Sequence, residues 1–129
     1  MIEFHETWLP QIIRYCELIS DLRILRRAWV TEREIIITSA TGFDELYEQI
    51  FDDLDSDLFQ AEIAKNLPDN TELSAAIIAF LETIRDTDSQ RSCDKTLMDA
   101  QALLDSASWT RTRNAAAAVL RIAESRPSI

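Results

Sequence analysis

Glycine and proline are scarce in this chain. It contains one glycine, Gly42, and three prolines in 129 residues. β-Sandwiches and barrels need glycine-rich turns at short intervals, and parallel α/β folds need them at many loops. Helical bundles do not depend on such turns, so the composition favours an all-α fold. A single glycine also excludes a glycine-rich loop that cradles phosphate.

Histidine and paired cysteines are also lacking. His5 is the only histidine, which leaves no Glu-x-x-His pairs for a di-iron bundle and a poor base for a nucleophilic triad. Cys16 and Cys93 form no CxxC pair, so we expect two free core thiols rather than a zinc site. We therefore expect no catalytic residue, no metal and no cofactor, which favours a binding protein over an enzyme.

Long apolar segments are absent as well. No run of about 18 apolar residues occurs, so no segment is expected to span a membrane. Residues 1–6 are acidic and lack the basic and apolar parts of a secretion signal, which makes the cytoplasm the expected location. With 47% hydrophobic residues, the chain can build one core, and we expect a single domain over residues 1–129.

Apolar residues recur at helical spacing along most of the chain. The pattern predicts helices over residues 6–19, 21–30, 43–54, 56–66, 71–86, 93–105 and 108–125, a single-domain bundle of about five to seven helices. Asp21, and either Asn70 or Thr71, are candidate N-caps. Residues 35–40 are interpreted as an extended or irregular connection, and residues 87–92 as a polar loop. The predicted core includes Trp8, Trp29, Tyr47, Leu58, Leu97, Met98 and Trp109.

Acidic residues are concentrated in the middle of the chain. The formal net charge is −10, and residues 34–88 hold 14 acidic and two basic residues. Between Asp44 and Glu62 there is no lysine or arginine, although mixed signs would gain stabilising pairs along a helix. Acidity kept for solubility alone is the other interpretation. The predicted partner-binding residues are Asp44, Glu45, Glu48, Asp52, Asp53, Asp55 and Asp57.

The sign of this charge restricts the partner. A strongly acidic surface repels nucleic acid and anionic membranes, so we expect binding to neither. A basic protein is the expected partner, attracted over long range and bound by charge complementarity.

Two metal-binding patterns overlap with these acidic residues. Asp53, Asp55 and Asp57 copy the first half of an EF-hand loop, but the required glycine is Leu58 and the required glutamate is Ala64. Glu45 and Glu48 form an ExxE pair of the kind that all-helical nucleotide pyrophosphatases use to bind magnesium. The matching pair would be Glu82 and Asp86, which is one residue too long. The pyrophosphatase remains an alternative function.

Residues 38–55, TSATGFDELYEQIFDDLD, resemble a stretch of bacterial immunity proteins from contact-dependent growth inhibition systems. The preceding Trp29 fits the same resemblance. The resemblance implies a cytoplasmic protein that binds the C-terminal toxin domain of a large secreted effector and neutralises it. Nuclease toxins present basic clefts, which an acidic protein can occupy or flank. An acidic mimic of nucleic acid that inhibits a DNA-binding protein is a further alternative.

Overall fold

Helices account for nearly all of the regular structure. A computed structural model of the protein describes residues 3–36, 38 and 40–125, apart from the side chain of Leu58. Within those residues there is no strand, so the all-α prediction is confirmed. The helices are α1 (Leu9–Ser20), α2 (Leu22–Arg26), α3 (Phe43–Glu48), α4 (Ser56–Gln60), α5 (Ile63–Asn66), α6 (Thr71–Cys93), α7 (Ala100–Leu104) and α8 (Ala107–Glu124).

Short turns of other helix types extend several of these helices. A π-helical turn precedes α1 (Phe4–Trp8), and two more continue α2 (Arg27–Thr31) and α3 (Gln49–Asp53). A 3-10 turn (Lys95–Met98) separates α6 from α7. In the part of the chain that the structure describes, no helix is both long enough and apolar enough to cross a membrane.

The core lies around α8, which packs against both α6 and α1. The predicted core tryptophans Trp8, Trp29 and Trp109 are buried, with at most 2% of each side chain exposed. Along α3 and its extension, the buried side carries Phe43, Leu46, Ile50 and Phe51. Since those apolar residues recur at helical spacing, the acidic residues between them are left on the outside.

Two predicted N-caps are confirmed. The Asp21 carboxylate accepts a hydrogen bond from the Ile24 amide, and the Asn70 side chain accepts one from the Leu73 amide. Such caps satisfy amides at the start of a helix that have no partner within it. They fix where α2 and α6 begin.

The prediction of a loop over residues 87–92 is wrong, because α6 continues through them to Cys93. Thr87 is completely buried, and its hydroxyl lies 3.1 Å from that of Thr112 on α8. Arg91 is also buried and pairs with Asp44. The segment is polar in sequence, yet its inward side packs through hydrogen bonds and an ion pair instead of apolar contacts.

Two predicted helices are interrupted. Residues 56–66 form α4 and α5 with a turn between them, and residues 93–105 form the 3-10 turn followed by α7. In the second case the Asp94 carboxylate accepts a hydrogen bond from the Thr96 amide, and the Asp99 carboxylate accepts one from the Ala102 amide. Each aspartate therefore caps a new short helix and ends the previous one.

These interruptions change which side chains are buried. Met98 is 55% exposed and Leu97 is half-buried, although both were predicted to lie in the core. Cys16 is buried as expected, but Cys93 is exposed. Tyr47 is half-buried at the edge of the core, and the side chain of Leu58 lies outside the described residues.

The connection between α2 and α3 is irregular where the structure describes it, as predicted for residues 35–40; Ile37 and Ser39 lie outside the described residues. Ile35 is 76% exposed. The indole N–H of Trp29 donates a 2.9 Å hydrogen bond to the carbonyl of Ala40. This bond holds the end of the connection against the core just before α3 begins.

A buried hydroxyl joins α4 to the N-terminal part of the fold. Ser56 accepts a 3.1 Å hydrogen bond from the indole of Trp8 and donates one to the carbonyl of Ile50. Replacing Ser56 with alanine leaves both groups buried without a partner, so we expect a loss of about 1–3 kcal/mol in the free energy of unfolding. Urea denaturation would measure it. Ser92→Ala, which changes an exposed hydroxyl, is the matched control, and equal losses would contradict the expectation.

A candidate acidic binding surface

The seven acidic residues predicted to bind a partner lie on α3, on its π-helical extension and at the start of α4. We call residues 44–57 the acidic segment. Six of the seven acidic residues are exposed, and Glu45 is half-buried. Their surroundings differ, however, and divide them into three groups. Two pair with arginines of α6, one is hydrogen-bonded within the helix, and four point to solvent.

Two arginines of α6 hold the ends of this acidic segment. Arg91 Nη1 lies 2.6 Å from Asp44 Oδ1, and the Arg91 guanidinium lies 4.6 Å from the centre of the Phe43 ring. Arg85 pairs with Asp57 in the same way and lies 4.6 Å from the centre of the Phe51 ring. Each arginine therefore combines an ion pair with a cation–π contact. We call these contacts the two arginine clamps.

Glu45 is occupied by local hydrogen bonds. Its carboxylate accepts from the hydroxyl of Thr41 and, at 3.0 Å, from the side-chain amide of Gln49. The hydroxyl of Tyr15 on α1 donates a 2.6 Å hydrogen bond to Gln49 Oε1. This chain of hydrogen bonds attaches the middle of the acidic segment to α1.

The remaining four acidic residues form what we call the open acidic face: Glu48, Asp52, Asp53 and Asp55. All four are exposed, and none makes an ion pair with any residue that the structure describes. Glu48 and Asp52 are four residues apart on consecutive helical turns, a spacing at which like charges repel each other. Asp55 has a left-handed backbone conformation, with φ of 54°. The face therefore retains repulsion that its own fold does not neutralise.

The geometry gives no support to the magnesium-dependent alternative. Across the residues that the structure describes, no three or more His, Cys, Asp or Glu side chains lie close enough together to hold a metal ion. Glu45 and Glu48 are thus not brought together with Glu82 and Asp86 in one ligand cluster. Glu45 instead spends both of its oxygens on Thr41 and Gln49.

A cleft that the sequence did not predict adjoins the acidic segment. It has a volume of about 590 Å³ and lies between the start of α3 and the start of α7. Its lining includes Phe43, Asp44 and Glu45 at the start of α3, and Met98 and Asp99 just before α7. The sequence pattern predicts that Met98 is buried in the core, and for that reason it does not predict a cleft at this position.

Comparisons of the chain with protein-family models, with curated proteins and with solved structures give no match. The features that point to a function are therefore the charge of this acidic surface and the resemblance carried by residues 38–55.

Tyr15 reports on the charge of the acidic segment. Burial raises the pKa of its phenol, and the nearby carboxylates of Asp53 and Glu45 raise it further because they disfavour a second negative charge. Replacing Asp53 with asparagine should therefore lower the Tyr15 pKa. The chain has two tyrosines, so ultraviolet titration in a Tyr47→Phe background follows Tyr15 alone. An unchanged titration would mean that Asp53 does not act on this phenol.

Proposed function

We propose that this protein is an immunity protein that binds the toxin domain of a contact-dependent inhibition effector and neutralises it by stoichiometric association. The observation that carries the proposal is the open acidic face, four exposed carboxylates with no ion pair among the described residues. A basic cleft, such as a nuclease uses to bind a polyanion, is the complementary surface.

The support beneath the open acidic face suits rapid and specific binding. The arginine clamps attach the segment to α6 at both ends, and the Tyr15–Gln49 hydrogen bond attaches its middle to α1. Carboxylates on a segment held at three points lose little freedom when a partner binds, so less of the interaction energy is spent on ordering. Their combined field also steers a basic partner during encounter.

Repulsion between the carboxylates of the open acidic face argues against the interpretation that these residues serve solubility alone. A soluble helix gains stability when acidic and basic residues alternate along it, and Glu48 and Asp52 forgo that gain. The fold does supply arginines to this segment, but both are placed beneath its ends, on Asp44 and Asp57. The middle of the segment stays negative, which is what a basic partner requires.

The test requires the cognate toxin domain, which we expect at the C-terminus of a large secreted effector encoded beside this gene. Co-expression should restore growth of cells producing the toxin domain, and the two proteins should co-purify at a ratio of one to one. A variant with Glu48, Asp52 and Asp53 replaced by lysine is the control and should protect less. Full toxicity together with no co-purification would overturn the proposal. Binding to unrelated DNA-binding proteins but not to the toxin domain would favour the nucleic-acid-mimic alternative.

A further inference from the structure

The cleft between α3 and α7 combines apolar surface with negative charge. Met98 lines the cleft and is 55% exposed, whereas most large apolar side chains of the described residues are buried. Trp29 and Phe43 also line the cleft. An exposed methionine beside a concave space is an adaptable surface for an apolar group from a partner.

The carboxylates of the cleft have capacity for further hydrogen bonds. Asp44 uses Oδ1 for Arg91, and Asp99 uses Oδ2 for the Ala102 amide. Within the described residues, the other oxygen of each carboxylate accepts no hydrogen bond. Both residues line the cleft, so a planar cationic group that enters it could donate its N–H groups to the free oxygens of both carboxylates, as a guanidinium does.

The balance of charge favours a cation over an anion. Asp44, Glu45 and Asp99 line the cleft together with Arg33 and Arg91. The three carboxylates therefore outnumber the two guanidinium groups, and one of these, that of Arg91, is already held by Asp44. Glu45 also lies one helical turn before Glu48, so the cleft is continuous with the open acidic face along α3.

This acidic segment already binds arginine twice within its own fold. In each arginine clamp the guanidinium pairs with a carboxylate and lies over an aromatic ring. We propose that the cleft is the anchor pocket for an arginine side chain of the basic partner, with its methylene stem against Met98 and its guanidinium between Asp44 and Asp99. This inference deepens the proposed function by naming the group that the partner inserts.

The test needs only this protein and a small probe, an acetylated and amidated glycine–arginine–glycine tripeptide. The chain has two methionines, Met1 and Met98, so methyl-labelled protein gives two signals, assigned with a Met98→Leu variant. We expect a saturable shift of the Met98 signal with half-saturation at about 1 mM, as befits a single side chain. The same tripeptide with citrulline, the uncharged analogue of arginine, should shift it at least fivefold less.

Variants locate the binding within the cleft. Ala100 and Ala107 are each the first residue of a helix, following the caps Asp99 and Ser106. Ala100 lines the cleft and Ala107 does not, so Ala100→Trp should abolish the shift and Ala107→Trp should retain it. Asp99→Asn preserves the helix cap, removes the charge and should weaken binding at least threefold even if Ala100→Trp does not fold.

Three outcomes would overturn the inference: no shift of Met98 at 10 mM tripeptide, roughly the upper end of useful fragment affinities; equal shifts with citrulline; or a larger shift with a glutamate tripeptide, which would make the cleft an anion site centred on Arg33. The charge reversal of the open acidic face changes Glu48, Asp52 and Asp53, none of which lines the cleft. A failed inference would therefore leave the proposed function standing, and a failed proposed function would leave the tripeptide result intact.

Discussion

Replacing Glu48, Asp52 and Asp53 with lysine should slow association with the toxin domain by about 10- to 1000-fold at low salt. Steering by opposite charges accelerates association by factors of this order. The three residues are exposed and make no ion pair with other described residues, so the change removes attraction without breaking a contact of the fold. Stopped-flow measurements with the purified toxin domain would give the association rate constant.

The salt dependence of the association rate constant provides a second test with the same two proteins. At an ionic strength of 0.1 M, charges are screened over about 10 Å, and over about 3 Å at 1 M. The difference between the parent protein and the lysine variant should therefore shrink as salt is added. A difference that persists in high salt would indicate lost direct contacts instead of lost steering.

The matched control carries the same change in net charge elsewhere. Asp69, Glu82 and Glu124 are exposed and lie outside α3, so their replacement with lysine should alter the rate far less. Asp55 is left out of the reversal because its left-handed backbone strains most side chains, and asparagine is the suitable neutral substitute there. Equal slowing in the two triple variants would mean that net charge, and not this face, attracts the partner.

The sequence was sufficient for the fold class and for the buried side of α3. The scarcity of glycine and the helical spacing of apolar residues are local properties, because each can be recognised within the sequence of a single segment. Phe43, Leu46 and Ile50 could therefore be assigned to the core, which in turn placed the acidic residues outside. The concentration of acidic residues could be recognised by counting charges along the sequence.

The arginine clamps could not be predicted in this way. Arg85 and Arg91 follow their partners Asp57 and Asp44 by 28 and 47 positions, and charge patterning along the chain shows only neighbours in sequence. The segment from Asp44 to Glu62 lacks basic residues in sequence but has them in space. The clamps pair Asp44 and Asp57 with arginines, and local hydrogen bonds occupy Glu45, so four of the seven predicted binding residues form the open acidic face.

The cleft between α3 and α7 could not be predicted from the sequence for a related reason. Periodicity predicts which residues of one helix share a side, but it does not show where a helix is interrupted. Asp94 and Asp99 cap new helices within residues 93–105, which turns Met98 outward. A capping aspartate in a polar segment was the signal that could have indicated the interruption.

Replacing Arg91 with alanine should lower the free energy of unfolding by about 2–3 kcal/mol. The change removes the cation–π contact with Phe43, the ion pair with Asp44 and a hydrogen bond to the Leu97 carbonyl. It also leaves a void beneath α3. Asp44 is largely exposed, so water replaces part of its lost interaction and keeps the loss below that of a fully buried ion pair.

Arg85→Ala is the matched control, because Arg85 makes the same two kinds of contact but its side chain is 37% exposed, compared with 7% for Arg91. Its replacement should cost about 1 kcal/mol or less. Arg91→Met keeps much of the packing on Phe43 and should fall between the two. Urea denaturation of the three variants, with hydrogen exchange of α3 amides, separates global from local effects. If Arg91→Ala costs no more than Arg85→Ala, burial of the guanidinium does not fix α3, and the rigidity that favours fast binding must come from its apolar side.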